Sequence, residues 1–250
     1  MNDILRGILE TGNVTCADGT VIAVNSHINT EEGYFIQDVI RKLRPKVSLE
    51  IGMLHGVSSL FICDALSEVG ASKHIVIDPH QNALNRDEYL TSDTSPGRPP
   101  SGMTNISRAG YSQMVRLIAE PSYQALPALV ADGCRVDFAF IDGWHTFDYA
   151  FIDFFYSDKL LNVGGVIVFD DMFMPAVQKL CRYVETNRHY TRYMPEAWHI
   201  PRWRRGLLRV PKIGPRLGSE KNFAAYQKTA DERPGDGTMG STDWDFYRKF

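Results

Sequence analysis

Five short β-rich runs recur along this chain with helical patterns between them, and four of the five carry an acid at or next to their last position. They are VSLEI (47–51) with Glu50, HIVID (74–78) with Asp78, MVRLIA (114–119), VDFAFID (136–142) with Asp142, and GVIVFDD (165–171) with Asp170 and Asp171. Near-continuous apolar strands separated by helices imply a sheet covered on both faces. The sequence therefore predicts a doubly wound, mostly parallel α/β architecture with right-handed crossovers. In such sheets a ligand binds beyond the C-terminal ends of the strands. The acids gather at that predicted rim.

The helices between the runs are also legible. Thr30 precedes EEGYFIQDVIRKL, in which Phe35, Val39 and Leu43 recur every four residues, so a helix capped by Thr30 and stopped by Pro45 is expected. After Asp142 comes the strongest apolar stripe, Phe147, Ala150, Phe151, Phe154 and Phe155, with Asn162 to Gly165 as its expected end. Two segments break the alternation and read as surface insertions on one domain spanning 1–250. One, 85–102, is rich in turn formers; the other, 196–221, holds seven Lys or Arg against two Glu, with Trp198 and Trp203 between them.

A net charge of -3 gives no basic footprint, which excludes a general nucleic-acid or membrane-surface role and leaves small molecules or proteins as partners. The N-terminus has no signal-like pattern and no run of about 18 apolar residues occurs, so a cytoplasmic location is expected. Cys16, Cys63, Cys134 and Cys181 are widely spaced without a CxxC pair and read as reduced packing residues. A homodimer is the commonest assembly for a soluble chain.

The segment LEIGMLHGVSSL carries a strand into a helix through Gly52 and Gly56, and Ser58 and Ser59 follow. Glycine permits close backbone approach, and the helix N-terminus offers free N–H groups to a carboxylate or phosphate. The spacing is GxxxG, neither the GxGxxG of dinucleotide binders nor the GK[ST] of a P-loop. Asp78 lies 22 residues beyond Gly56, where an acid can accept from both hydroxyls of a ribose.

With LEIGMLHGVS, HIVIDPH and IDG in these positions, the chain from about Thr30 to about Asn187 resembles the class I S-adenosylmethionine-dependent methyltransferases. It is most similar to the catechol O-methyltransferase-like and macrolide-sugar O-methyltransferase branches. The resemblance implies a seven-stranded Rossmann-like sheet and S-adenosylmethionine as cofactor. It also implies roles: Glu50, Gly52 and Gly56 shape the methionine end of the pocket, Ser58 lies near its carboxylate, and Asp78 holds the ribose. Glu120 and Ser122 border the adenine, Ser122 being alternatively a helix N-cap. Trp144 lies against the adenine or packs in the core. His55 and His80 match nothing in the pattern and read as solvated.

Asp142, Asp170 and Asp171 end two strands predicted to be adjacent, so their carboxylates could converge. Hard oxygen donors without a cysteine favour Mg²⁺ or Mn²⁺ over zinc. The alternative stays open that two successive aspartates merely begin a loop, since in a continuing strand their side chains point oppositely. His145, in DGWH, stands where the resemblance places the residue that takes the proton from an acceptor hydroxyl; otherwise it is a locally bonded helix-start residue. The reading is an O-methyltransferase for a hydroxylated small molecule or sugar. The alternatives are a metal-independent methyltransferase of the same fold and a non-catalytic S-adenosylmethionine-binding module.

Overall fold

The computed structural model describes residues 1–24, 27–70, 73–81, 101–195, 198 and 222–231. Most of the insertion expected at 85–102 and nearly all of that at 196–221 lie outside the described residues.

Helix α1 (Asp3–Thr11) and a small hairpin, β1 (Asn13–Thr15) with β2 (Val21–Ala23), precede α2 (Thr30–Leu43). The cap of α2 is Asn29 rather than Thr30. Its side-chain oxygen accepts from Glu32 N at 2.9 Å, and Thr30 is already the first helical residue. The helix ends where Arg44 turns left-handed at φ 52°, just before Pro45. Then follow β3 (Val47–Ile51), α3 (Val57–Glu68), β4 (Lys73–Ile77), α4 (Gly102–Arg108), β5 (Val115–Ile118) and α5 (Ser122–Ala131). The chain continues through β6 (Val136–Ile141), α6 (Phe147–Leu160), β7 (Leu161–Phe169), α7 (Pro175–Asn187), β8 (Tyr190–Arg192) and β9 (Ala224–Lys228).

The large sheet has seven strands in the order β5-β4-β3-β6-β7-β9-β8. The first five are mutually parallel, and β9 runs antiparallel to both its neighbours. The chain lays down β3 in the middle, builds outward to β5, then returns to place β6 on the other side of β3. That reversal opens a crevice at the carboxyl ends of β3 and β6, where ligands of doubly wound sheets bind.

Both faces are buried, as the apolar runs require. Phe138, Phe140, Val166 and Val168 pack with Phe35, Ile36 and Phe61 on the face carrying α2 and α3. The alternate residues Ala139, Ile141, Ile167 and Phe169 pack with Leu126, Phe154 and Leu180 beneath α5, α6 and α7. One expected boundary is misplaced: α6 stops at Leu160 and β7 begins at Leu161, so Asn162 to Gly165 belong to the strand. A register shift between Val136 and Phe138 and a left-handed Gly164 at φ 87° absorb the turn inside the pairing of β6 with β7. All four cysteines are free thiols, three of them buried. No described helix is long and apolar enough to cross a membrane.

Candidate active site

A cavity of about 540 Å³ opens at the crevice between β3 and β6, within the range of small-molecule sites. On one side lies the loop after β3. Gly52 sits there at φ +89°, and a Cβ would stand 1.9 Å from the carbonyl oxygen of Asp142. The first glycine of the loop therefore lets the backbones after β3 and β6 pass each other, where close approach to a ligand was the sequence expectation. Gly56, at φ +82°, caps α3 without a side-chain bond, leaving first-turn N–H groups beside Ser58, which lines the cavity. Gly56 itself is not part of the lining.

Asp78 lines the cavity and is 2% exposed. Its Oδ2 accepts from Met53 N at 3.0 Å, Leu54 N at 2.7 Å and Gln81 Nε2 at 3.2 Å, and its Oδ1 from His80 N at 2.8 Å. The acid at the end of β4 thus ties the glycine loop to its own strand. Glu50 lies beneath the loop, outside the cavity lining: its Oε2 accepts from Ser59 Oγ and contacts His74 Nε2 at 2.8 Å. His74, fully buried, in turn contacts Ser48 Oγ at 2.9 Å through Nδ1. His55 is buried rather than solvated, its Nδ1 2.7 Å from Ser101 Oγ, because α4 closes over the loop. His80 is half-buried on the cavity wall.

At the adenine-side positions the structure divides the expectations. Ser122 lines the cavity and makes no capping bond, whereas Glu120 is exposed and outside the lining. Trp144 is 45% exposed at the cavity edge, not packed in the core. Tyr123 and Tyr149, edge-to-face at 6.1 Å, line the same region. No sequence signal singled them out.

The opposite wall is acidic. Strand β7 ends at Phe169, before both aspartates, and Asp171 turns left-handed at φ 55°. That turn aims its carboxylate at His145, with Asp171 Oδ2 2.5 Å from His145 Nε2 and Asp142 Oδ1 at 3.4 Å. One potential donor atom from each of Asp142, His145 and Asp171 lies within 4.8 Å of the others. Asp170 takes a different direction: its Oδ1 accepts from Asp171 N at 2.6 Å and from Asn222 Nδ2 at 2.9 Å. The three aspartates therefore do not all converge on one point.

Sequence reading missed Glu32 and Asn222. Asn222 arrives just before β9 and left no signal. Glu32 left one, an acid on the apolar face of α2 that also carries Phe35, Ile36 and Val39. Its carboxyl is raised to about 10, first by burial, then by repulsion from Asp170 and a side-chain hydrogen bond with it, with Asp142 and Asp171 adding further repulsion. Burial likewise lifts Asp142 to about 7 and raises Asp170. Contacts with Asp142 and Asp171 hold the His145 imidazole at about 10 against desolvation. Burial acts upward on Asp171 too, but His145 and Asn222 outweigh it and hold that carboxyl low. The donor set fits a hard divalent ion: clustered carboxylates and one imidazole on the cavity wall, no thiolate among them.

A mostly parallel sheet with a glycine loop, an acid at the end of the neighbouring strand and a cavity at its reversal point is an arrangement in which doubly wound sheets bind nucleotide-type ligands. Residues 49–172 match the family model described as a methyltransferase domain, and that stretch of the chain belongs to this family. It is 30% identical over 145 residues to a protein of Arabidopsis thaliana provisionally named a caffeoyl-CoA O-methyltransferase, covering 58% of this chain and 54% of that one. To a flavonoid 3',5'-methyltransferase of Vitis vinifera it is 28% identical over 148 residues, covering 58% and 55%. The chain thus spans about half the length of the curated relatives it matches. The solved structure of the O-methyltransferase TomG from Streptomyces achromogenes, in complex with S-adenosylmethionine, superposes with a TM-score of 0.61. Its identity is 15%, with 92% of this chain and 91% of that one covered, a likeness of fold.

Proposed function

We propose that this protein transfers a methyl group from S-adenosylmethionine to a hydroxyl oxygen of a small molecule or sugar, within one methyltransferase domain spanning 1–250. The observation that carries the reading is a single cavity lined both by Gly52, Ser58 and Asp78 and by Asp142, His145 and Asp171. A cofactor on the first wall would present its methyl group toward an acceptor on the second. The names of the curated relatives, caffeoyl-CoA and flavonoid methyltransferases, favour a hydroxylated aromatic acceptor.

The α3 N-terminus and Ser58 bind the methionine carboxylate, Asp78 the ribose, and Ser122 with Trp144 the adenine. Asp142 and Asp171 would hold Mg²⁺ or Mn²⁺, while Asp170, turned to Asn222, stays outside that donor set. The ion would compensate their charge and make an acceptor hydroxyl more acidic. In its neutral form His145 would take the hydroxyl proton at Nε2, which requires release of the Asp142 and Asp171 contacts that hold its imidazole at about 10. The oxygen then bonds to the methyl carbon while the carbon–sulfur pair stays on sulfur, leaving a methyl ether and the demethylated cofactor. Holding oxygen, carbon and sulfur in line supplies much of the acceleration.

The test is incubation of the purified protein with methyl-labelled S-adenosylmethionine and a panel of catechols, flavonoids and sugars, with Mg²⁺ or with EDTA. Labelled ether that disappears with EDTA supports the full reading. Label transfer indifferent to EDTA would replace it with a metal-independent methyltransferase. Cofactor binding without transfer to any acceptor would favour a binding module.

A further inference from the structure

A polar thread crosses the sheet under α3. His74 and Val76 lie on the face of β4 that α3 covers, and Ser48 and Glu50 stand opposite them in register on β3. Ser48, Glu50, His74 and Ser59 of α3 are all fully buried. Ser48 Oγ meets His74 Nδ1 at 2.9 Å, His74 Nε2 meets Glu50 Oε2 at 2.8 Å, and Ser59 Oγ donates to the same oxygen. A carboxylate only accepts, so His74 gives it the Nε2 proton, and Nδ1 is left to accept from the Ser48 hydroxyl. Apolar side chains of similar volume often replace such buried groups at no cost to stability, so the fold alone does not ask for the thread. What it reaches gives the reason. Helix α3 begins at Gly56, which makes no side-chain capping bond. A capping side chain would occupy first-turn N–H groups that a bound anion needs. Ser59 is the third residue of that helix, and Ser58 beside it lines the cavity. The bond from Ser59 to Glu50 therefore fixes the first turn from the sheet side, in place of a cap.

We propose that His74 is a positioning residue for the amino-acid end of the cofactor: through Glu50 and Ser59 it sets the first turn of α3, and with it Ser58, where the methionine carboxylate is received. This rests on the cofactor reading given above. His74 is outside the cavity lining, so it acts only through Glu50. Held by Ser59 alone, the Glu50 carboxylate could turn with the helix it is meant to fix. The imidazole, itself bonded to Ser48, gives that carboxylate a second anchor on β4 and so a single orientation. Asp78 ties the loop separately, through Met53 N and Leu54 N, so the nucleoside end of the cofactor should not sense the loss of His74.

The test compares two ligands that share a nucleoside: S-adenosylhomocysteine, and methylthioadenosine, which lacks the amino-acid end. Their affinities are measured by calorimetry for the parent, His74→Phe, His74→Gln, Ser59→Ala and, as a control near the far end of α3, Ser67→Ala. His74→Phe fills the space without a donor and should weaken S-adenosylhomocysteine by about tenfold or more, but methylthioadenosine by less than about twofold. Ser59→Ala should shift the two affinities in the same sense. His74→Gln, whose amide can donate to Glu50, should restore most of the loss, and Ser67→Ala should change neither affinity. Equal losses for both ligands in His74→Phe would overturn the proposal and leave His74 a support of the sheet. Unchanged affinities in His74→Phe, with the parent binding both ligands, would overturn it too and leave the cofactor reading standing. If the parent binds neither ligand, the cofactor reading falls and His74 with it. Should His74→Phe not fold, Ser59→Ala carries the test by cutting the thread at its helix end, and an unaltered preference between the two ligands there would overturn the proposal.

Discussion

On the β3–β4 side of the cavity Asp78 accepts from Met53 N, Leu54 N, His80 N and Gln81 Nε2, whereas on the β6–β7 side Glu32 is set against another carboxyl, that of Asp170. Both acids are buried, at 2% and 0% exposure. The difference lies in where the compensation comes from. Backbone amides of the glycine loop neutralise the first wall inside the chain, so it is formed before any ligand arrives. On the second wall Asp142, Asp170 and Glu32 crowd one another with the His145 imidazole as a nearby positive group, so that wall is completed by what binds it. Under the proposed roles, a preformed cofactor wall facing an acidic acceptor wall suits ordered binding.

The comparison breaks most visibly at His145. His145→Ala should lower turnover by roughly 10² to 10⁴ while leaving the calorimetric affinity for S-adenosylmethionine unchanged. A parallel loss of cofactor affinity would mean the walls are not separable. Next in size, Asp171→Ala should reduce activity at low Mg²⁺ by roughly 10- to 100-fold or more. Because weaker binding can be offset by concentration, a Mg²⁺ titration should recover part of the rate. A plateau that no Mg²⁺ concentration lifts would assign Asp171 to positioning His145 alone.

On the other wall the effect should be on binding. Asp78→Ala removes a charged acceptor from the loop amides and should weaken cofactor affinity by about 1 to 3 kcal/mol, with Mn²⁺ affinity unaltered. The smallest effect expected is in stability, at Asp153 of α6. This buried carboxyl lies beneath the DGWH loop, with Oδ2 2.7 Å from where a Cβ on Gly143 would stand, and burial raises it to about 7. Its proton is therefore held in the folded state up to about pH 7, but in the unfolded chain only to near the ordinary aspartate value of 3.8. The folded state binds more protons in that window, so stability falls as pH rises from about 4 through 7. Asp153→Asn should raise the melting temperature at pH 8.5 by about 4 °C or more, with a smaller gain at pH 5. Equal gains at both pH values would remove the ionisation from the account.

The sequence made the cofactor wall easier to anticipate than the acidic one, for a physical reason. Gly52, Gly56 and Asp78 act through backbone geometry at fixed offsets along one strand–loop–helix unit, and such offsets survive in a linear text. The parallel strands were legible because residues such as Phe138 to Ile141 are apolar on both faces. What makes Asp171 face His145 is a single left-handed residue after β7, and what brings Asn222 there is the antiparallel pairing of β9, which no local pattern announced. Glu50 shows the converse: a motif acid expected to shape the pocket, yet lodged with Ser59 and His74 under the loop instead of in the cavity.

Asn222 also sets a schedule for synthesis. Its amide meets Asp170 at 2.9 Å and Asp171 at 3.4 Å, and its carbonyl receives Met172 N at 2.7 Å, so the acidic wall is clamped by residues some fifty positions later in the chain. A growing polypeptide that has emerged through β7 already holds the five parallel strands, with β7 still an open edge and its aspartates unclamped. Until β9 emerges and pairs with β7, the nascent chain carries a finished glycine-loop wall beside an unfinished acidic one. Fragments ending before residue 222 should therefore show the helical and sheet signature of the parent but aggregate through the bare β7 edge.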